Sequence, residues 1–327
     1  MKKLLLLAAL SLAACKTAKI ADTLPPPKIQ QVYEVREYKV AETLKYLSSD
    51  ELEGRDTGTK GIEKAANYLE EILKEFKVKP YFSTYKDTLS NHENAFNIVG
   101  YIEGTDAKLK NEFVILGAHY DHIGITEKGF EGDYINNGAN DNASGTTVLT
   151  EIAKYIATFN NNKRSVLIVF FSAEERGLLG SKHLAKKLKA QNINLYTLLN
   201  FEMLGVPMKY DFDMFLTGYD KSNMAKKINE YAGTNLVGKS EGAEKYNLFK
   251  ASDNYPFFEE FMIPSHTVSA FDFSNFEYYH HPKDEFEVMD VKFMTGLTEK
   301  LLPVVIKMLN TETQEIQMNE LKAVVRP

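Results

Sequence analysis

The chain has 327 residues, of which 44% are hydrophobic, with 39 basic against 45 acidic side chains for a formal net charge of -6. That length accommodates one large α/β domain or two small ones, each with room for a core. The acidic balance leaves no electrostatic footprint for nucleic acid, and no internal apolar run reaches the roughly 20 residues that span a bilayer.

The first fifteen residues, MKKLLLLAALSLAAC, differ from the rest. Lys2 and Lys3 precede an apolar segment and then small residues, the pattern of a secretory signal. The closing Leu12-Ala13-Ala14-Cys15 resembles the bacterial lipoprotein box, in which the cysteine becomes the new N-terminus and carries lipid. Cys15 is the only cysteine of the chain, so no disulfide is expected. Residues 16–32 contain Pro25, Pro26 and Pro27 and read as an extended tether. The expected organisation is a signal peptide with its lipidation cysteine over 1–15, a tether over 16–32 and a single domain over 33–327. The expected location is exported, on the periplasmic or cell-surface side, held to a membrane by lipid at Cys15.

Beyond the tether, helical spacing of apolar residues predicts a helix over 61–76. A short apolar run at 95–104 predicts a strand. EFVILGAHYD (112–121) is apolar throughout and reads as a central strand. A helix over 144–159 follows, then a second apolar strand ending in FFSAEE (165–175) and a helix over 177–190. Strands over 195–204 and 213–219 and helices over 222–232 and 290–309 complete the series, the last containing Pro303. Strands alternating with helices imply a mainly parallel sheet covered on both faces. In such sheets, ligands collect at the carboxyl ends of the strands.

Chemistry-bearing residues cluster at those ends. GAHYDHIG places His119, Asp121 and His122 at one strand end, and GANDNASG sets Asp141 just before a helix. Glu174 and Glu175 stand side by side after an apolar strand, where two ionised carboxylates repel unless a cation offsets them. Glu202 interrupts an apolar run, and YYHHPKDE supplies His280, His281 and Asp284. Imidazoles and carboxylates in this mixture suit zinc or a similar first-row metal, and a pair of ions is able to activate a shared water.

GAHYDHIG, GANDNASG, FSAEERGLLGS, LNFEMLG, SDNYPF and YYHHPKDE, taken in that order, resemble the motifs of the co-catalytic dizinc aminopeptidases, of the aminopeptidase Y and bacterial leucyl aminopeptidase type. The likeness runs from about Leu44 to Asp284. It implies a three-layer α/β/α sandwich with a central mainly parallel mixed sheet, of the zinc-peptidase (phosphorylase/hydrolase-like) type. It implies two zinc ions per chain, with His119, Asp141 and Glu202 on one, and Asp141, Glu175 and His280 on the other. Glu174 takes the place of the general base, and Asp121 that of the aspartate orienting His119. Peptides are the implied substrates, cleaved at their N-terminal residue; nucleic acid is not an expected partner, and nothing in the sequence fixes the oligomeric state.

Three positions depart from the pattern. Glu202 stands where aspartate is frequent, and Asn254 where histidine is common, which leaves a supporting contact there in question. His281 occupies a place usually held by threonine. His122 is expected to face solvent, His92 and His183 to lie on the surface, and His266 to be core or strand edge. Phe249, Tyr255 and Tyr279 read as core. Two other functions fit the same frame: a glutaminyl-peptide cyclase, and a non-catalytic peptide-binding lipoprotein. The absence of tryptophan and the NDNASG and SAEERGLLGS stretches favour the peptidase.

Overall fold

The structure, a computed structural model, describes residues 33–272 and 274–320. The expected signal peptide, Cys15 and the tether lie outside the described residues. From Glu34 onward the chain forms one compact unit.

Helix α1 (Glu37–Leu47) leads into α2 (Lys60–Glu75), whose N-terminus is capped by the Thr59 hydroxyl accepting from the Ile62 N–H. Ile62, Ala65, Ala66, Leu69 and Leu73 recur at helical spacing, so α2 buries a single face. Short strands β1 (Lys79–Pro80) and β2 (Lys86–Thr88) precede β3 (Phe96–Ile102) and β4 (Phe113–His119). A hairpin of β5 (Gly124–Phe130) and β6 (Asp133–Asn136) stands apart as its own two-stranded sheet. Then follow α3 (Gly145–Phe159), β7 (Ser165–Phe171), α4 (Leu179–Ala190), β8 (Leu195–Glu202) and β9 (Met214–Leu216). The chain continues through α5 (Met224–Ala232), β10 (Val237–Gly238), α6 (Glu241–Lys245), α7 (Asn254–Phe261), β11 (Ser265–Ser269) and α8 (Val291–Asn310).

The main sheet runs β1-β3-β7-β4-β8-β11-β9-β10, with β2 also paired to β3. Its centre, β7-β4-β8-β11, is parallel, whereas β3 joins β7 and β9 joins β11 antiparallel. This is the expected mixed sheet between helical layers. Every residue of β7 is buried. Leu167, Val169 and Phe171 pack with Leu184 and Leu188 of α4 and Phe257 of α7. Alternation along the strand sends Val166, Ile168 and Phe170 to the opposite face, and α3 packs on β4, β7 and β8. Each such buried side chain contributes about 1.5–3 kcal/mol, so both layers are held by the sheet's middle.

The spacing reading misses α1, α6, α7, β11, the β5-β6 hairpin and the short strands β1, β2 and β10. β11 reads SHTVS, too polar and too short to stand out, yet all five residues are buried. Pro303 lies within α8.

The parallel register sets the site. His119 at the end of β4 lies opposite Phe171, the last residue of β7. Glu202, the last residue of β8, lies opposite Ser269 of β11. Three strands therefore deliver their following residues to one edge.

Candidate metal centre

The turn after β7 carries Glu174 and Glu175. It begins with Ala173 at φ 56, a left-handed conformation that costs a non-glycine residue about 1 kcal/mol or more. What holds it is Asp121: one carboxylate oxygen accepts from the Glu174 N–H at 3.1 Å and the other from the Glu175 N–H at 3.2 Å. The Thr57 hydroxyl adds a third contact at 3.3 Å. The loop before α3 is held the same way. Asp284 accepts from the Asn140 N–H at 2.7 Å and from the Asp141 N–H at 3.0 Å. The Asp141–Asn142 peptide bond is cis.

Asp121 does more than the part expected of it beside His119. The group nearest His119 Nδ1 is the Asp121 backbone carbonyl at 3.2 Å, while its carboxylate is 3.7 Å away. The carboxylate is occupied by the two amides. Asp121 orients the histidine through its main chain and the two glutamates through its side chain.

Between these clamped turns the ligand-type atoms converge. Asp141 splits its two oxygens. Oδ1 lies 3.3 Å from His119 Nε2; Oδ2 lies 3.2 Å from His280 Nε2 and 3.8 Å from His122 Nδ1. Glu175 approaches His280 Nε2 at 3.2 Å with one oxygen and His122 Nδ1 at 3.2 Å with the other. His122, Asp141, Glu175 and His280 bring one ligand atom each within 4.8 Å of one another, and His119, Glu174 and Glu202 form a second such group. Glu202 is held by the Ser252 hydroxyl, which also contacts Asn200 at 3.0 Å and Thr267 at 3.0 Å.

Burial opposes charge on His119, but Glu174, Asp121 and Asp141 outweigh it and raise its pKa well above the ordinary value. His280 is carried to about 10, its burial overcome by Asp141 and Glu175. Asp141 is held well below the carboxylate range, because its hydrogen bonds to His119 and His280 win over burial. Glu202 is pushed up to about 7 and Glu174 well above its usual value, both chiefly by burial. An acid-rich pocket that binds protons this strongly has the field to bind divalent cations instead. His119 Nε2 is buried and faces Asp141 Oδ1 at 3.3 Å, with no other polar partner among the described residues. The residues fit a metal pair.

Several residues sit otherwise than expected. His122 is fully buried in the cluster, not solvent-facing. His280 turns into the carboxylates, whereas His281 turns away, accepting from the Lys283 N–H at 3.0 Å and packing on Phe130 at 4.8 Å. His183 is largely buried and accepts from the Ser90 N–H at 3.1 Å. Tyr279 is half exposed and stacks on His280 with ring centroids 4.0 Å apart. Asn254 donates to the carbonyls of Phe249 and Ser265 and accepts from Thr267, tying α7 to β11 and making no contact with the cluster.

Arg55 was not singled out from the sequence. Its buried guanidinium donates to the carbonyls of Tyr120 at 2.9 Å and Gly138 at 2.9 Å, and to those of Leu47 and Asn137. It joins the ends of α1 and β4 to the loop before α3. Burial lowers its pKa to about 10, with Asp284 and Asp121 pulling the other way, so it keeps its charge at neutral pH. An arginine at the end of SSDELEGR has the signature of a surface residue; only the tertiary fold buries it.

A pocket of about 90 Å³ opens beside Glu202. Phe215, Leu248, Phe271 and Tyr279 give it apolar walls, and Thr217, Ser252, Thr267 and Ser269 give it hydroxyls.

Comparison with known proteins agrees with this geometry. The family model for peptidase family M28 matches residues 97–305. Aminopeptidase YwaD of Bacillus subtilis is 26% identical over 224 residues, covering 63% of this chain and 43% of that protein. The chain spans less than half the length of the curated relatives it matches. Among solved structures, the LapA aminopeptidase of Legionella pneumophila superposes with a TM-score of 0.68 at 22% identity, over 85% of this chain and 73% of that one. A glutaminyl cyclase of Bacteroides thetaiotaomicron superposes with a TM-score of 0.63 at 19% identity, over 84% and 99%. Both likenesses are likenesses of fold. With its matched segment spanning the sheet centre and every clustered histidine and carboxylate, the chain belongs to peptidase family M28.

Proposed function

We propose that the protein is a zinc-dependent aminopeptidase that removes N-terminal residues from peptides and holds two metal ions per chain. The observation that carries this reading is Asp141, whose two oxygens address two separate ligand groups. His119, Asp141 and Glu202 would hold one ion, and Asp141, Glu175 and His280 the other. Zinc at such a site supplies Lewis acidity toward a carbonyl oxygen and lowers the pKa of bound water.

Glu174 is the carboxylate left over for acid-base work. Its raised proton affinity suits a base that must also serve as an acid near neutral pH. It takes the proton of the attacking water on a carboxylate oxygen as the water oxygen bonds to the scissile carbon. It then gives that proton to the amide nitrogen as the C–N bond breaks. A carboxylate and an amine leave, the second proton of the water going to the amine, which departs as its ammonium form. Asp121 fixes the backbone of both glutamates, so base and ligand keep their spacing through the cycle. The pocket beside Glu202 would take the side chain of the cleaved residue, and its size favours small or medium ones.

The test is Glu174→Gln. Metal analysis should find near two zinc ions per chain in both proteins, with turnover of N-terminal residues from a peptide panel reduced about 10²–10⁴-fold in the variant. Equal activity would remove Glu174 from the mechanism. Conversion of N-terminal glutamine to pyroglutamate would favour the cyclase, and no turnover of any peptide the non-catalytic reading.

We further infer that Cys15 carries the lipid that anchors the protein to a membrane, on the strength of the Leu-Ala-Ala-Cys stretch after an apolar segment. Incorporation of labelled fatty acid into the wild type and none into Cys15→Ser is the expected result.

A further inference from the structure

We propose that His122 is a fourth protein ligand, through Nδ1, of the ion held by Asp141, Glu175 and His280. The inference rests on the metal-dependent reading above and deepens it. That reading gives this ion three protein ligands; the geometry offers four.

Ligands about 2.1 Å from a tetrahedral zinc lie about 3.4 Å from each other. The neighbouring atoms here are spaced at 3.2 Å (His122 Nδ1 to Glu175 Oε1), 3.8 Å (His122 Nδ1 to Asp141 Oδ2), 3.2 Å (His280 Nε2 to Asp141 Oδ2) and 3.2 Å (His280 Nε2 to Glu175 Oε2), so Glu175 turns one oxygen to each imidazole. His122 thus occupies a corner of the same polyhedron that its partners define. The two imidazoles meet edge to face with centroids 5.5 Å apart, so their rings do not compete for one position.

Space is made for this ring. Gly138 has φ 57, and a Cβ there would fall 2.6 Å from His122 Cδ2 and 2.6 Å from Cγ. A glycine in this place both permits the left-handed backbone and leaves room for the imidazole. Its carbonyl is in turn fixed by Arg55 at 2.9 Å. His122 Nε2 has no hydrogen-bond partner among the described residues, so Nδ1 is the ring nitrogen that meets the cluster. Two imidazoles and two carboxylates neutralise a divalent ion and fill a tetrahedral shell. On the other side Glu174 stands with His119 and Glu202, so that side would pair its ion with the base, the pattern of a site that does chemistry.

Loss of metal affinity alone does not separate a ligand from a histidine that merely steadies Glu175, since removing such a support also weakens binding about 10–100-fold. The test therefore reads the ligands directly. The wild-type protein, stripped of metal, is titrated with Co²⁺ alone and followed by proton NMR. At two equivalents, ring N–H signals of three histidines should move far outside the diamagnetic range: His119, His122 and His280. His122→Gln should lose one of them, and Gly138→Ala, which crowds the ring, should shift or broaden the same one. Only two strongly shifted histidines in the wild type, with none lost in His122→Gln, would overturn the assignment of His122 while leaving the metal pair intact. Failure of Co²⁺ to bind the wild type at all would overturn the metal-dependent reading, and this inference with it. The wild-type spectrum decides the matter even if a variant does not fold.

Discussion

The two sides of the ligand cluster are built from different materials. On the side of β4, β7 and the loop before α3, charged groups hold the backbone: Asp121 grips the turn of Glu174 and Glu175, Asp284 grips Asn140 and Asp141, and Arg55 ties four carbonyls together. On the side of β8, β11 and α7 the support is neutral. Ser252 holds Glu202, Thr267 and Asn254 bridge β11 to α7, and His266 sits between Thr217 and Ser222. The charged side positions base, bridge and two histidines; left-handed backbone occurs on both sides, at Ala173 after β7 and at Met203 after β8. The neutral side positions a single carboxylate and walls the pocket. Charge is used where several loops must be fixed against one another, and hydroxyl networks where one strand pair suffices.

That division predicts unequal consequences of mutation. Removing the Arg55 guanidinium should cost most. Arg55→Leu takes a donor from four buried carbonyls, of which Gly138 keeps the Ala143 N–H, and leaves the neighbouring carboxyls without a counter-charge. Such losses are of the order of 3–5 kcal/mol. Chemical denaturation should show a midpoint shift of that size, and the β5-β6 hairpin side should gain amide exchange first. A loss below about 1 kcal/mol would mean the charged side is not the keystone drawn here.

The clamps come next. In Asp284→Asn and Asp121→Asn, one of the two accepting oxygens becomes an NH₂ aimed at a backbone N–H. Each should weaken metal binding about 10–100-fold with little change in fold. They should differ in kind. Asp284→Asn displaces the bridging residue and so should loosen both ions. Asp121→Asn displaces Glu174 with Glu175, so kcat should fall further than the loss of one ion explains. Graded chelator dialysis with metal analysis, beside kcat at saturating zinc, separates the two. Identical profiles would sink the assignment of Asp121 to the two glutamates.

The same contrast explains what the sequence reveals. His119, Asp141, Glu174, Glu175, Glu202 and His280 were legible because acids and imidazoles are conspicuous at the ends of apolar strands. The strands themselves were legible because β4, β7 and β8 are buried on both faces. The neutral side was not. SHTVS does not look like a strand, and serine, threonine and asparagine occur everywhere. His122 was misjudged because its burial comes from the loop over it, Gly138 above all, which lies 16 residues on in sequence and touches it only in the fold. Arg55 was missed for the same reason.

The neutral side should break gently and separately. Asn254→Ala removes three buried hydrogen bonds, two between α7 and β11 and one to the Phe249 carbonyl. It should lower stability by about 1–3 kcal/mol and leave two metal ions per chain unchanged. A change in metal content would merge the two sides that the geometry keeps apart.

His266 gives the smallest and most specific effect. It is fully buried, its Nδ1 lies 2.7 Å from the Thr217 carbonyl and its Nε2 2.7 Å from the Ser222 hydroxyl. The ring must donate at Nδ1 and is satisfied by the serine O–H at Nε2, a neutral tautomer that needs no charge. Burial, opposed only by the Thr217 hydrogen bond, lowers its pKa to about 4. The unfolded chain, with a histidine pKa of about 6.5, binds the proton more readily between those values. Stability from this residue is therefore complete above about pH 6.5 and is lost progressively as the pH falls toward 4. Between about pH 7.5 and 5.5 the loss should be about 1 kcal/mol. The carboxylates of the cluster also titrate on acidification, so the quantity to measure is a difference. Urea midpoints of wild type and His266→Gln, taken across that interval, should diverge in slope, the wild type losing more as the pH drops. Parallel slopes would mean that the ring titrates alike in the folded and unfolded chain, and divergence in the opposite sense that it is charged in the folded protein; either would show that the neutral side is not neutral at its centre.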